Sequence, residues 1–212
     1  MAKVDRIFTF LMQWEAGLRP EFFDLPFEDQ FEQAKKTGFA NDPADPGGAT
    51  MVGVTIGTFN EYCRRRKLSK PTVEDLKALT FAQWTDIIKK MYWDRWKADR
   101  IKDQSIANVL FDWVWASGVH GIRRPQMLVG VVPDGIVGPK TIDAVNHCDP
   151  KVLFNAIIDS RVDFINDTCH SSRVKYEKKV GRPATEKELL KYTKMRFKKG
   201  WLNRINAIAN IK

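Results

Sequence analysis

Cysteine is scarce: three residues in 212, Cys63, Cys148 and Cys169. An odd and sparse set argues against a disulfide scaffold. His147-Cys148 and Cys169-His170 mirror one another, but neither has the close spacing of a zinc ribbon or finger, so no metal site is expected. No apolar run is long enough to span a bilayer. Lys3-Val4-Asp5-Arg6 mixes charge signs, and the apolar run at 7–12 is short for a signal-peptide core and has no small-residue cleavage site after it. The expectation is a protein made in the cytoplasm without a signal peptide. Internal repeats, low-complexity linkers and parallel-strand patterns are also missing. RNA-binding motifs are absent too, so no specific nucleic-acid partner is expected.

What the chain does have is positive charge, rings and helical periodicity. Its net charge of +9 draws it to polyanions, among them nucleic acid, anionic membranes and the bacterial wall, without choosing between them. The basic residues gather in the tail from Lys175 to Lys199, either as a solvated face or as a polyanion-binding one. Seven Trp and 13 Phe are enough both to fill a core and to line a cleft that stacks on sugar rings. The periodicity predicts helices over 3–15 (with Gly17 as its stop), 57–67, 104–117, 122–130 (broken by Pro125), 139–146, 150–170 and 185–208, with two more beginning at Thr72 and Thr80 and an aromatic-rich segment over 81–96. Thr55 or Thr58, then Thr72 and Thr80, are candidate caps, the last two with Asp75 and Gln83 placed for a capping box. Residues 21–37 read as a short helix or a packed excursion, and 51–56 as the only strand region. The fold class is mainly α, with at most a small β hairpin.

Two segments carry candidate chemistry. Glu15 follows Trp14 on an apolar face and sits at a helix C-terminus, where the helix dipole disfavours negative charge. That setting suits a carboxyl group that must stay protonated and act as an acid. The run Asn41-Asp42-Pro43-Ala44-Asp45-Pro46-Gly47-Gly48-Ala49-Thr50 cannot be regular structure. It holds two carboxylates and a hydroxyl on a constrained turn. Such a turn either polarises a water opposite an acid or makes Asx turns; calcium needs more oxygen ligands than it supplies. Asp112 lies in the apolar run Phe111-Asp112-Trp113-Val114-Trp115, where a carboxylate needs a partner; it is read as a hydrogen-bonded structural residue or a substrate contact.

Trp14-Glu15-Ala16-Gly17, the 41–50 loop and Gly53-Val54-Thr55 resemble the glycoside hydrolase family 108 muramidases, whose usual opening is Glu-Gly-Gly-Tyr followed almost directly by Asn-Asp-Pro-Ala-Asp-Pro-Gly-Gly-Ala-Thr and then Gly-Ile-Thr. Phe111-Asp112, Ser117-Gly118, Gln126 and Asp134-Gly135-Ile136-Val137-Gly138-Pro139-Lys140-Thr141 resemble the predicted peptidoglycan-binding segment that accompanies that family. The departures are Ala16 for Gly, Leu18 for Tyr, Ala116 for Asn, and about twenty extra residues between Gly17 and Asn41, which lengthen the loop without fixing how far apart its ends lie.

The resemblance implies a lysozyme-like helical fold and cleavage of the muramic acid to glucosamine bond of peptidoglycan, with no cofactor. Glu15 takes the catalytic acid's place. Asp45 and Thr50 best fit the second and third roles, with Asp42 the competitor for Asp45. Thr55, Tyr92, Trp93 and Asp112 are candidate substrate contacts. A catalytic lobe over 1–97, with the insertion at about 18–39, is expected to pack on a helical lobe over 98–212. The partner is the bacterial wall, reached with the help of a holin or a secretion machine, and the protein is expected to be a monomer. The alternative is a wall-binding module that has lost turnover.

Overall fold

The computed structural model describes residues 1–41 and 47–211. Its contacts divide the chain into two units, Met1–Arg100 and Ile101–Lys212. Among the described residues there are eleven α-helices and one three-stranded antiparallel sheet, so the chain is mainly α.

In the first unit a 3-10 turn, Val4–Ile7, leads into α1 (Phe8–Ala16), where the sequence predicts one continuous helix. Gly17 ends α1 in the left-handed region at φ 70°, a conformation that costs glycine nothing. The inserted residues then form a 3-10 turn, Pro20–Phe22, and α2 (Phe27–Lys35). This excursion belongs to the core. Phe31 and Ala34 are fully buried, and Phe31 meets Phe81 and Trp84 of α5 (Phe81–Met91) at 5.7 and 5.3 Å between ring centres. Gln30 is also buried. Its Oε1 accepts from the Thr9 hydroxyl, and its Nε2 donates to the Phe23 and Leu25 carbonyls, each at 2.8 Å. A buried amide with its partners supplied locks the excursion onto α1.

The excursion returns to where it left. The Thr37 hydroxyl donates to the Ala16 carbonyl at 2.6 Å. A Cβ on Gly38 would stand 2.8 Å from the Ala16 Cβ and 2.7 Å from the Ala34 carbonyl, so only glycine fits there. The sheet begins at the next residue: β1 (Phe39–Ala40), β2 (Thr50–Met51) and β3 (Val54–Thr55), with Phe39 opposite Met51 and Thr50 opposite Thr55. The sequence predicts one strand region over 51–56 and at most a hairpin; the structure splits it into β2 and β3 and adds β1 as a third strand. The hairpin turns through Val52 and Gly53, both at positive φ (45° and 77°), the geometry of a two-residue primed turn. A β-branched residue is strained there. Val52 is held by full burial, by its N–H to the Gly38 carbonyl at 2.9 Å, and by the Trp84 indole N–H donating to its carbonyl at 3.0 Å.

Thr55 caps α3 (Ile56–Arg65), and reciprocal capping boxes start α4 (Val73–Lys77) from Thr72 and α5 from Thr80. The helix that Thr80 begins runs only part of the way through the aromatic-rich segment 81–96, stopping at Met91. Tyr92 leaves helical geometry, and a 3-10 turn, Trp93–Arg95, follows.

In the second unit α6 (Gln104–Ser117) is capped by Asp103 and buried from Ile106 to Val114. α7 (His120–Leu128) crosses it so closely that a Cβ on Gly121 would lie 2.5 Å from the Trp113 carbonyl carbon. Pro125 stands inside α7 rather than ending it; a proline there removes one i→i−4 bond. The turn at Asp134-Gly135 is a structural corner tied down by buried Gln126. Its Nε2 reaches Asp134 Oδ1 and the Ile136 carbonyl, and its Oε1 accepts the Gly135 N–H. α8 (Pro139–His147) and α9 (Pro150–Val180) follow. The helix predicted over 185–208 is two, α10 (Glu186–Tyr192) and α11 (Met195–Ile208), separated at Thr193, whose buried hydroxyl donates to the Leu189 carbonyl. The three cysteines are free thiols, two of them buried.

Candidate active site

Three structural pieces of the first unit meet at the end of α1. The last turn of α1 carries Trp14 and Glu15, both half-buried. The Thr37–Ala16 hydrogen bond and the Gly38 contact fasten that turn to the entrance of β1. The chain therefore returns within two residues of Glu15 immediately before the Asn41–Thr50 loop, despite the insertion. Trp14 packs against Phe10 at 6.0 Å, and its indole N–H is buried without a hydrogen-bond acceptor among the described residues. An unspent buried donor is the kind of group a ligand oxygen satisfies.

Thr50 lies on β2, half-buried, its hydroxyl 3.4 Å from the Gly48 carbonyl and its Cα paired with that of Thr55 across the hairpin. Thr55 Oγ1 accepts the Thr58 N–H and donates to the Thr58 hydroxyl, each at 3.1 Å. The Thr58 hydroxyl is in turn 3.3 Å from the half-buried Tyr92 phenol oxygen. The hydroxyls of Thr55, Thr58 and Tyr92 so form one chain. Thr58 enters it unforeseen as a side-chain partner; its signal was the i, i+3 spacing from Thr55. Asp42 and Asp45 lie outside the described residues.

Two predicted substrate contacts need correction. Trp93 cannot stack on a sugar: it is fully buried, and its indole N–H donates to Asp99 Oδ1 at 2.7 Å. Lys89 bridges Asp99 and Asp94 beside it. Burial pushes the Asp99 carboxyl up, but Lys89 and the indole outweigh this and leave it below its ordinary range. Asp112 is also closed to substrate, at 0% exposure. Arg161 reaches its Oδ2 at 2.9 Å, and Arg204 Nε and Nη2 reach its Oδ1 at 3.1 and 2.8 Å. Burial raises its pKa, and the two guanidiniums more than reverse that, leaving it below the usual carboxylate value. Among the described residues no cluster of three His, Cys, Asp or Glu side chains is arranged to hold a metal ion.

Residues 32–118 match the model of the family described as glycosyl hydrolase 108, and residues 120–206 match the one described as predicted peptidoglycan domain. A solved structure of Brucella abortus SagA is similar over 85% of this chain and 92% of that one, at 24% identity and a TM-score of 0.61, a likeness of fold. No curated protein matches the chain. The first match starts in α2, downstream of Glu15. In that stretch the residues directly before Asn41 are Lys36-Thr37-Gly38-Phe39-Ala40, with no carboxylate among them. The end of α1 is what bonds to Thr37.

Proposed function

We propose, on the premise that this chain belongs to the glycosyl hydrolase 108 family and carries a predicted peptidoglycan domain, that Glu15 is the acid with which it cleaves the muramic acid to glucosamine bond of peptidoglycan. The observation that supports Glu15 is the fastening of the α1 C-terminus to Thr37 and Gly38. It brings the end of α1, where half-buried Glu15 precedes Ala16, to the segment where the resembling sequences carry their glutamate.

In the proposed reaction Glu15 protonates the bridging oxygen, and the bond from that oxygen to the anomeric carbon breaks. The oxocarbenium-like centre is captured by water, whose proton passes to Asp45, with Asp42 as the competing base. The leaving sugar keeps the proton from Glu15, which is then reprotonated from solvent. Thr50 helps place the water, and Tyr92 offers a ring edge to the glycan. Net positive charge holds the protein at an anionic wall.

The test is digestion of purified peptidoglycan by Glu15→Gln, which keeps shape and loses the proton. The turnover rate should fall by about 10²–10⁴-fold, the usual worth of a positioned general acid. A fall below tenfold with the fold intact would remove Glu15 from the role.

A further inference from the structure

The second unit contains a cavity of about 470 Å³ that the reaction above does not use. Trp113, Phe164, Ile165, Trp201 and Ile205 wall it; its polar lining is Arg161, Arg204, Lys194 and His120 with the hydroxyls of Ser117 and Thr168, and among the described residues no carboxylate lines it. Its volume suits a small ligand. Its lining is cationic: Arg161 and Arg204 both bond to Asp112, and Lys194 adds a third cation.

Arg161 is the sharper observation. Its side chain is 4% exposed, and Nη2 is spent on Asp112. Nη1 is buried with no hydrogen-bond acceptor among the described residues. A guanidinium donor left unsatisfied at the wall of a cavity is costly unless an acceptor arrives, and the planar fork favours an anionic oxygen over a neutral hydroxyl. The surrounding rings and branched aliphatics favour small apolar groups beside that anion.

We infer that this cavity binds a carboxylate of the wall's peptide stem, with the Arg161 Nη1 donating to it and the stem's alanine methyl groups lying against Trp113, Trp201 and Ile205. The inference rests on the peptidoglycan reading for its choice of source. In the wall the N-acetylated sugars are neutral, and the free carboxylates belong to the stems. The second unit would then recognise uncut or uncrosslinked stems while the first cuts glycan.

The test is titration of the full chain with free stem pentapeptide, followed by tryptophan fluorescence and calorimetry. Parallel arms use the same peptide amidated at the C-terminus, amidated at its internal carboxylates, or amidated at all of them, together with the peptide-free disaccharide and inorganic phosphate. Binding of the free peptide, weakened at least tenfold by full amidation, is expected; the single amidations show which carboxylate is held. Ala116→Phe fills the mouth of the cavity from an exposed helical position and leaves the Arg161–Asp112–Arg204 group untouched. It should abolish peptide binding while melting as the wild type does. Equal binding of the peptide-free disaccharide, equal binding of phosphate, or full peptide binding by Ala116→Phe would each overturn the inference. Glycan cleavage is scored separately on peptide-free chains. Cleavage without stem binding sinks only this inference, and stem binding without cleavage sinks only the catalytic reading.

Discussion

Removing the charge of Asp112 should cost the second unit more than any surface substitution. The carboxylate receives three charge-assisted bonds of 2.8–3.1 Å, at 0% exposure, from guanidinium side chains that are 4% and 13% exposed. Asp112→Asn leaves two cations facing a neutral amide, half of which is itself a donor. Breaking a buried ion pair from one side costs about 3–5 kcal/mol, because the remaining charge stays desolvated. For a chain of this size that corresponds to a fall in Tm of roughly 6–20 °C.

The sign with pH follows from the direction of the shift. The folded carboxyl titrates below its ordinary value of 3.8. Its contribution is therefore complete above the unfolded pKa and is lost as pH falls below about 4 through the lower folded value. Urea unfolding of wild type and Asp112→Asn between pH 2.5 and 7 measures both effects. The gap should be widest at neutral pH and narrow towards pH 2.5. A second variant, Asp112→Leu/Arg161→Met/Arg204→Met, replaces the whole group with apolar volume and should recover most of the loss. A neutral-pH loss under about 1 kcal/mol, or a gap that does not change with pH, would refute the account.

Gly121→Ala should destabilise by about 1–3 kcal/mol, since its Cβ meets α6 backbone at 2.5 Å and neither helix can yield cheaply; thermal melting measures it. Gln30→Ala strands the Phe23 and Leu25 carbonyls and should cost about 1–3 kcal/mol, with hydrogen exchange rising first over residues 18–36. Trp93→Phe should lower Tm through loss of the Asp99 bond while KM for peptidoglycan changes less than twofold; a raised KM with an unchanged Tm would restore Trp93 as a sugar contact.

Much of this fold was legible because its signals are local. Gly17 as a helix stop, Thr72 and Thr80 with their partners three residues on, and the apolar run of α6 each carry their own physics within a few residues. The failures were tertiary. Nothing within residues 93–99 says that the Trp93 indole turns inward to Asp99, so an aromatic cluster read as partly a sugar platform. Asp112 announced that it needed a partner, but Arg161 and Arg204 lie 49 and 92 residues away in the chain, among many other cations. The insertion was visible as a break in a familiar motif. Its closure was not, because it depends on Thr37 meeting Ala16 and on the absence of a Cβ at Gly38. The pairing of Thr50 with Thr55 follows from a two-residue turn that uses valine where Asn or Gly is usual, which weakens the turn signal.

The most direct test of the central claim is the chemistry of the cut. Purified peptidoglycan is digested by wild type and by Glu15→Gln, both shown to be folded, and the soluble fragments are reduced and analysed for new sugar ends. The account predicts new muramic acid reducing ends from wild type and almost none from the variant. Glucosamine ends from wild type would contradict the bond assignment, and undiminished muramic acid ends from Glu15→Gln would contradict the acid.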